Sequence, residues 1–166
     1  MSHDDLARFR RMCARFRWLT VFMVISVGAL LALMYGIAPG VLSLRGEFAA
    51  TPMQWLVRVI WALPSLFYLF AVWSIGSAMG QLSKGRLIQP TLVQALRRVG
   101  LALGFGGVLS VFGIINLIRL IDPSRGGYLH FDVAGMTLGM IGGALVLLGR
   151  VIDQAGRIQA ELDEMI

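Results

Sequence analysis

Apolar residues fall into four long stretches without charge, and the charged residues lie in the short connections and at the two ends of the chain. Each stretch is close to the ~20 mostly apolar residues that an α-helix needs to cross a bilayer. The pattern therefore predicts four transmembrane helices, over residues 18–37, 59–78, 100–118 and 133–149. No connection is long enough to hold a separate folded domain, so we expect residues 1–166 to form one all-α membrane domain.

The composition excludes a water-soluble protein. Hydrophobic residues make up 57% of the chain and charged residues only 14%, against roughly 25% in a soluble domain. The net charge of +6 would suit nucleic acid, but the basic residues lie beside the predicted membrane ends, where anionic lipids account for them. We therefore expect membrane lipids, and not nucleic acid, as direct partners. Cys13 is the only cysteine, which excludes an intrachain disulfide.

Lysine and arginine are unevenly divided between the two sides of the predicted membrane domain. One side holds eleven of them: Arg8, Arg10, Arg11, Arg15, Arg17, Lys84, Arg86, Arg97, Arg98, Arg150 and Arg157. The other side holds four: Arg45, Arg58, Arg119 and Arg125. Because short cytoplasmic segments are enriched in these residues, we expect both termini and the connection between the second and third spans in the cytoplasm.

Small residues recur at four-residue spacing inside the predicted spans. Residues four apart lie on one helix face, and small side chains there let two helix backbones approach closely. We expect helix packing at eight such positions: Gly28, Ala32, Gly36, Gly100, Gly104, Gly135, Gly139 and Gly143. The pattern leaves open whether these faces meet within one chain or between copies, so a homo-oligomer is an alternative.

Few polar residues are predicted at membrane depth. Asn116 and Thr137 are uncharged, and we expect them to form structural hydrogen bonds across helices. No Asp, Glu, Lys, Arg or His lies near the middle of a span, so the proton relay of a pump has no obvious carrier. His130 and Asp132 have a spacing that metal ligands use, but two ligands do not make a site. Since no catalytic motif is present either, we predict no enzymatic activity, no metal and no cofactor.

The segments at the two ends of the chain are amphipathic. After Gly149, apolar residues follow steps of three and four, which predicts a cytoplasmic helical tail over residues 150–166. We call its apolar face the partner seam and expect it to bind a protein: Val151, Ala155, Ile158, Leu162 and Met165. The N-terminal arm repeats this spacing and, as an interfacial helix, would place five arginines on lipid headgroups: Arg8, Arg10, Arg11, Arg15 and Arg17. Because the arm is net positive and the tail net negative, the arm is an alternative occupant of the seam.

The connection before the third predicted span has a distinctive sequence. It reads Lys-Gly-Arg-Leu-Ile-Gln-Pro over residues 84–90 and Leu-Arg-Arg-Val-Gly over residues 96–100. This resembles the bacterial four-span membrane family catalogued as domain of unknown function 2975, in which Gly-x-x-Phe, Pro and Leu-Arg-Arg-Ile-Gly precede the third span. Residues 158–166 are also similar to the family's tail. Ile88 stands where the family tends to have Phe, and Gln89 where it tends to have Ser or Thr.

The resemblance implies a bacterial inner-membrane protein without an established activity, in a family often encoded near small helix-turn-helix regulators. It transfers no catalytic residue. Two function classes follow from the sequence. The first is a non-enzymatic interaction or regulatory module that acts through its cytoplasmic amphipathic helices. The alternative is a small transporter or channel subunit, which would be oligomeric because four spans without buried charge leave little room for a lined pathway.

Overall fold

The computed structural model describes residues 3–38, 40–41, 52–84, 88–121 and 130–164, and all of these except Lys84 and residues 130–132 are helical. Several residues named above lie outside the described part: Arg45, Arg86, Arg125 and Met165. The side chains of Arg8, Arg10, Gln89 and Leu162 are likewise not described.

Five α-helices and two π-helical turns make up the described chain. Helix α1 covers His3–Ala32 and continues into a π turn over Leu33–Ile37. Helix α2 covers Pro52–Ser83. Helix α3 covers Ile88–Val108 and is joined to α4, Ile114–Ile121, by a second π turn over Leu109–Gly113. Helix α5 covers Val133–Glu164.

Four helical segments are long and apolar enough to cross a membrane, which confirms the predicted number of spans. They are Arg11–Ile37, Pro52–Ser83, Pro90–Ile121 and Val133–Glu161, and we call them the first to fourth spans. Each is longer than the stretch that hydropathy indicates. The reason is that the backbone hydrogen bonds of a helix continue into polar flanking residues, whereas hydropathy marks only the apolar centre.

The spans pack in the order of the sequence. The first packs on the second, the second on the third and the third on the fourth. Within the described residues, the first span contacts neither the third nor the fourth, and the second does not contact the fourth. The helices therefore form a row and not a closed four-helix bundle.

A row of helices leaves its two end members largely uncovered. In the first span Trp18 is 77% exposed, and in the fourth span Met140 is 78% exposed. The third span is the best buried of the four, because it packs on the second and meets the fourth through close glycine contacts. In a bilayer the uncovered faces of the first and fourth spans lie against lipid or against another protein chain.

Two small clusters of buried apolar residues lie between the second, third and fourth spans. One joins the second and third spans through Ile60, Ile114 and Ile118. The other is formed by Ala71, Val99 and Ala102, with partly buried Ile75, Leu103 and Leu145 packed on it. Alanine dominates the second cluster, which lets the helices approach closely and gain van der Waals contact that lipid cannot supply.

Candidate functional site

The third and fourth spans approach each other closely where glycines of the two helices meet, at Gly100, Gly104 and Gly107 and at Gly135, Gly139 and Gly142. We call this contact the glycine interface. A Cβ added to Gly100 would lie 2.6 Å from the carbonyl oxygen of Gly142 and 2.7 Å from Cγ2 of Val146. A Cβ added to Gly142 would in turn lie 3.0 Å from Cα of Gly104 and closer still to its nitrogen. Since the obstacle at both glycines includes backbone, which cannot rotate away, glycine is required at these two positions.

A second point of approach lies further along the same interface. A Cβ on Gly107 would lie 2.7 Å from Cα of Gly139 and would meet the carbonyl oxygen of Gly135. The reverse contact is looser, because a Cβ on Gly139 would lie 3.7 Å from Cα of Gly107, an ordinary van der Waals distance. Alanine therefore fits at position 139 but not at position 107.

The eight predicted packing positions are distributed unevenly in the structure. Four lie at the glycine interface: Gly100, Gly104, Gly135 and Gly139. A Cβ on Gly28 would lie 4.0 Å from Leu69 of the second span. Gly36 and Gly143 face open space, and Ala32 is exposed. Sequence reasoning missed Gly107 and Gly142, which follow the same face at a spacing of three.

The first and second spans also meet at glycines that sequence reasoning missed. A Cβ on Gly76 would lie 2.7 Å from Cγ2 of Thr20, and a Cβ on Gly80 would lie 2.9 Å from Cδ of Arg17. Thr20 is buried, and its hydroxyl donates to the carbonyl of Phe16 at 2.8 Å. The Gly-x-x-x-Gly spacing of residues 76 and 80 was a readable signal for this contact.

A polar cluster lies where the fourth span begins. Asp132 precedes α5 and caps it, because its Oδ1 accepts a hydrogen bond from the backbone N–H of Ala134 at 3.1 Å. The hydroxyl of Ser110, in the π turn of the third span, donates to Oδ2 of the same carboxylate. Ser110 and the N–H groups of Gly135 and Ala134 lower the pKa of the Asp132 carboxyl, since they stabilise its charged form.

The second span contributes an aromatic side chain to this region. Tyr68 lies beside Ser110, and a Cβ on Gly106 would come within 2.6 Å of its ring. Its buried hydroxyl has no hydrogen-bond partner of good geometry among the described residues. The cluster thus joins three spans. Its chemistry is that of a helix cap and an interhelical hydrogen bond.

His130 lies next to this cluster and contacts the second and third spans. Its ring lies edge-on to Trp61 with the ring centroids 5.4 Å apart, and its backbone N–H donates to the carbonyl of Val111 at 3.0 Å. The π turn that contains Val111 interrupts the α-helical hydrogen-bond pattern there. In the described part of the chain, no group of three or more His, Cys, Asp or Glu residues is placed to hold a metal ion.

The two uncharged polar residues expected to bridge helices bond within their own helices. The amide of Asn116 donates to the carbonyl of Phe112 at 2.8 Å, and the hydroxyl of Thr137 donates to the carbonyls of Val133 and Ala134 at 3.0 Å. The predicted bonds across helices are therefore replaced by local ones. Side chains of this size reach a carbonyl one turn earlier more easily than a neighbouring helix.

Replacing Asp132 by alanine should destabilise the fold. The expected loss is about 0.5–2 kcal/mol of unfolding free energy, because two N–H groups of α5 and the Ser110 hydroxyl lose their acceptor. The pKa of Asp132 is lower in the folded state than its ordinary value of 3.8, so its contribution is complete above that value and declines as the pH falls through the folded pKa. Thermal unfolding in detergent at about pH 7 and about pH 3 measures this. A difference between wild type and Asp132→Ala that does not shrink at the lower pH would contradict the assignment.

The tail is the C-terminal part of α5, the helix that also forms the fourth span, and the two share residues 150–161. Helix α5 has 32 residues and is therefore about 48 Å long, more than a bilayer core requires. One face of the tail packs on the start of the third span. There, a Cβ on Gly149 would lie 3.5 Å from Cβ of Leu96 and from the carbonyl oxygen of Val93. Gly156 follows on the same face, beside Pro90 and Val93.

The described part of the partner seam lies on the opposite face of the tail. Val151 is 64% exposed, Ile158 is 52% exposed and Ala155 is also exposed. These positions are separated by steps of three and four, so they share one face, roughly 120° to 180° around the helix from Gly149. Helix α1 makes no contact with α5 among the described residues, so the described arm does not occupy the seam.

No curated protein and no solved structure matches the chain. A protein-family model, described as protein of unknown function (DUF2975), matches residues 15–166. The match includes all of the second, third and fourth spans, most of the first and the whole tail. The chain therefore belongs to the DUF2975 family.

Proposed function

We propose that this protein is a non-enzymatic membrane interaction module whose tail helix binds a protein partner beside the membrane. The observation that carries the proposal is the exposed apolar face formed by Val151, Ala155 and Ile158. Outside the bilayer such a face is in contact with water, and covering it gains about 25 cal/mol per Å² of apolar surface. The spacing of three and four is the one by which helices pack on one another.

The position of the tail supports a partner from outside the chain. Gly149 packs closely on the third span, so the base of the tail is held in a fixed direction. The first span is separated from the fourth by two helices, and no described residue of α1 reaches α5. No described segment of the chain covers the described seam, which supports a separate molecule as its occupant. A rigid, preformed helix face also binds without first having to be ordered.

The alternative of a transporter or channel has less support. Because the four spans form a row, a single chain encloses no pathway within its described residues. A pathway would have to form between copies, along the uncovered faces of the first or fourth span. Those faces are apolar, as Trp18 and Met140 illustrate, and a pathway for a polar solute needs polar lining.

The proposal places the tail in the cytoplasm of a bacterial cell, at the inner membrane. The support is the division of eleven basic residues against four between the two sides. The arm, with its five arginines, would then lie on the anionic cytoplasmic leaflet. The resemblance to a family often encoded near small helix-turn-helix regulators makes a transcription regulator one candidate partner.

Single-cysteine labelling tests both the orientation and the occupied seam. In a Cys13→Ser background, Ile158→Cys and Gln159→Cys each place one thiol on the tail, at neighbouring exposed positions. We expect a membrane-impermeant maleimide to label neither in intact spheroplasts, because the tail is cytoplasmic. After permeabilisation it should label Gln159→Cys well and Ile158→Cys poorly, because the partner covers only the seam. The purified protein should label equally at both positions.

One result would contradict the proposed orientation, and another would contradict the proposed occupation of the seam. Labelling in intact spheroplasts would place the tail outside the cytoplasm. Equal labelling of the two positions in permeabilised spheroplasts would show that the partner seam is open to water in its native membrane.

A further inference from the structure

Two cavities lie end to end in the groove between the first and second spans. The one nearer the chain termini has a volume of about 150 Å³ and reaches from Lys84 to Trp73 along the second span. The other continues deeper into the membrane region from Val72, has a volume of about 270 Å³, and is lined almost entirely by apolar side chains. The groove therefore changes from polar to apolar along its length.

The polar end of the groove carries two cations. Arg17 of the first span and Lys84 at the end of the second line the cavity, together with Gln81 and Ser77. No acidic residue lines it, and neither cationic side chain has an ion-pair or hydrogen-bond partner among the described residues. Two positive charges on one cavity favour an anion there.

The exposed side chain of Arg17 passes over a glycine of the second span. Its stem crosses Gly80, where an added Cβ would lie 2.9 Å from Cδ and 3.2 Å from Nε of Arg17. The absence of a side chain at Gly80 leaves room for this path. Trp73, half exposed at the inner limit of the polar cavity, is a residue type that prefers the boundary between headgroups and acyl chains.

The apolar end matches an acyl chain. Val24, Val27 and Leu31 of the first span face Leu69 and Val72 of the second across the deeper cavity. Gly28 lies on the same stretch of the first span, and an added Cβ there would reach Leu69 only at 4.0 Å.

We propose that this groove binds one anionic phospholipid, with its phosphate between Arg17 and Lys84 and one acyl chain along Val24, Val27 and Leu69. A free phosphate would use only the polar cavity, and a lipid without a phosphate would use only the apolar one. A zwitterionic lipid such as phosphatidylcholine would bring its choline cation close to Arg17 and Lys84, which repel it. An anionic phospholipid uses both, and basic pockets between membrane helices are known to favour such headgroups. The inference stands independently of what the tail binds.

Native mass spectrometry of the detergent-purified protein tests the headgroup contact. The probes are phosphatidylglycerol and phosphatidylcholine with identical acyl chains. We expect wild type to retain one phosphatidylglycerol and far less phosphatidylcholine. Arg17→Gln combined with Lys84→Gln should weaken phosphatidylglycerol retention roughly tenfold or more, because both cations are lost. The control Arg150→Gln with Arg157→Gln removes the same charge from exposed residues of the tail and should stay within about twofold of wild type.

A second variant tests the acyl-chain contact. Val27→Trp fills the apolar cavity while leaving Arg17 and Lys84 unchanged, and it should reduce retention of phosphatidylglycerol as strongly as the double variant. Added inorganic phosphate at millimolar concentration should not displace the lipid from wild type. Three results would overturn the proposal: equal retention of the two lipids by wild type, unchanged retention in either groove variant, or displacement by phosphate. The first two would indicate nonspecific annular lipid, and the third a simple phosphate site.

Discussion

Alanine in place of Gly142 is expected to destabilise the protein strongly, whereas alanine in place of the adjacent Gly143 should not. A Cβ at position 142 would lie 2.6 Å from the carbonyl oxygen of Gly100 and would also overlap the backbone of Gly104. The third and fourth spans would have to move apart to accept it. Overpacking of this kind costs about 1–3 kcal/mol or more, and here the separation also opens contacts along the rest of the glycine interface.

The neighbouring glycine provides the matched control. A Cβ at Gly143 meets nothing within 4 Å, so Gly143→Ala should be neutral or gain up to ~1 kcal/mol from the better helix propensity of alanine. Both variants have the same composition and sit on the same helix. Unfolding in detergent, followed by circular dichroism against temperature or sodium dodecyl sulfate concentration, measures the difference. Equal stability of the two variants would show that the third and fourth spans do not pack through Gly142.

These two glycines illustrate what the sequence can and cannot predict about helix packing. The number of spans was predictable, because crossing a bilayer requires a long apolar helix whatever its neighbours are. It was less predictable which residues of each helix form the packing face. Gly142 and Gly143 lie three and four residues after Gly139, so both are near its helix face. The four-residue spacing predicted Gly143 as a packing position, but the structure places Gly142 at the interface. A helix turns by about 100° per residue, so this choice decides which side chain meets the neighbour.

The polar cluster at the start of the fourth span was predictable only in part. An aspartate directly before an apolar helical stretch is a standard signal for a helix cap, so the role of Asp132 could have been inferred locally. Its bond to Ser110 could not, because the two residues are 22 positions apart and meet only through packing of the third and fourth spans. The π turn that holds Ser110 likewise has no periodic signature in the sequence.

The row arrangement of the spans also lay beyond the sequence. Small residues on one face indicate that a helix packs, but they do not say whether its neighbour is the next span or another copy. The first span shows this, since Gly36 has no close neighbour among the described residues and Ala32 is exposed, while Thr20 and Arg17 meet the second span. The uncovered faces that result are the reason why contacts with lipid or other proteins dominate the functional proposals.

Replacing Val151 and Ile158 together by serine is expected to abolish partner binding without affecting membrane insertion. Insertion depends on the four spans, which remain intact. Each substitution removes an aliphatic side chain from the partner seam, and losing two that become buried on binding typically costs a few kcal/mol. A loss of that size weakens a micromolar association by ~100-fold or more.

The matched control is Gln154→Ser with Gln159→Ser, which introduces the same residue at two exposed polar positions of the same helix. The measurement is quantitative recovery of proteins with each variant from native membranes in mild detergent, at equal abundance of the variant. We expect wild type and the glutamine control to retain the same proteins, and the seam variant to lose at least one of them. If all three proteins retained identical sets, the tail would be a solvated extension of the fourth span. The reason is that Val151 and Ile158 are the two largest described apolar side chains of the seam, so a partner bound there would be lost with them. Function would then have to reside in the spans, and an oligomeric transporter or channel would become the better interpretation.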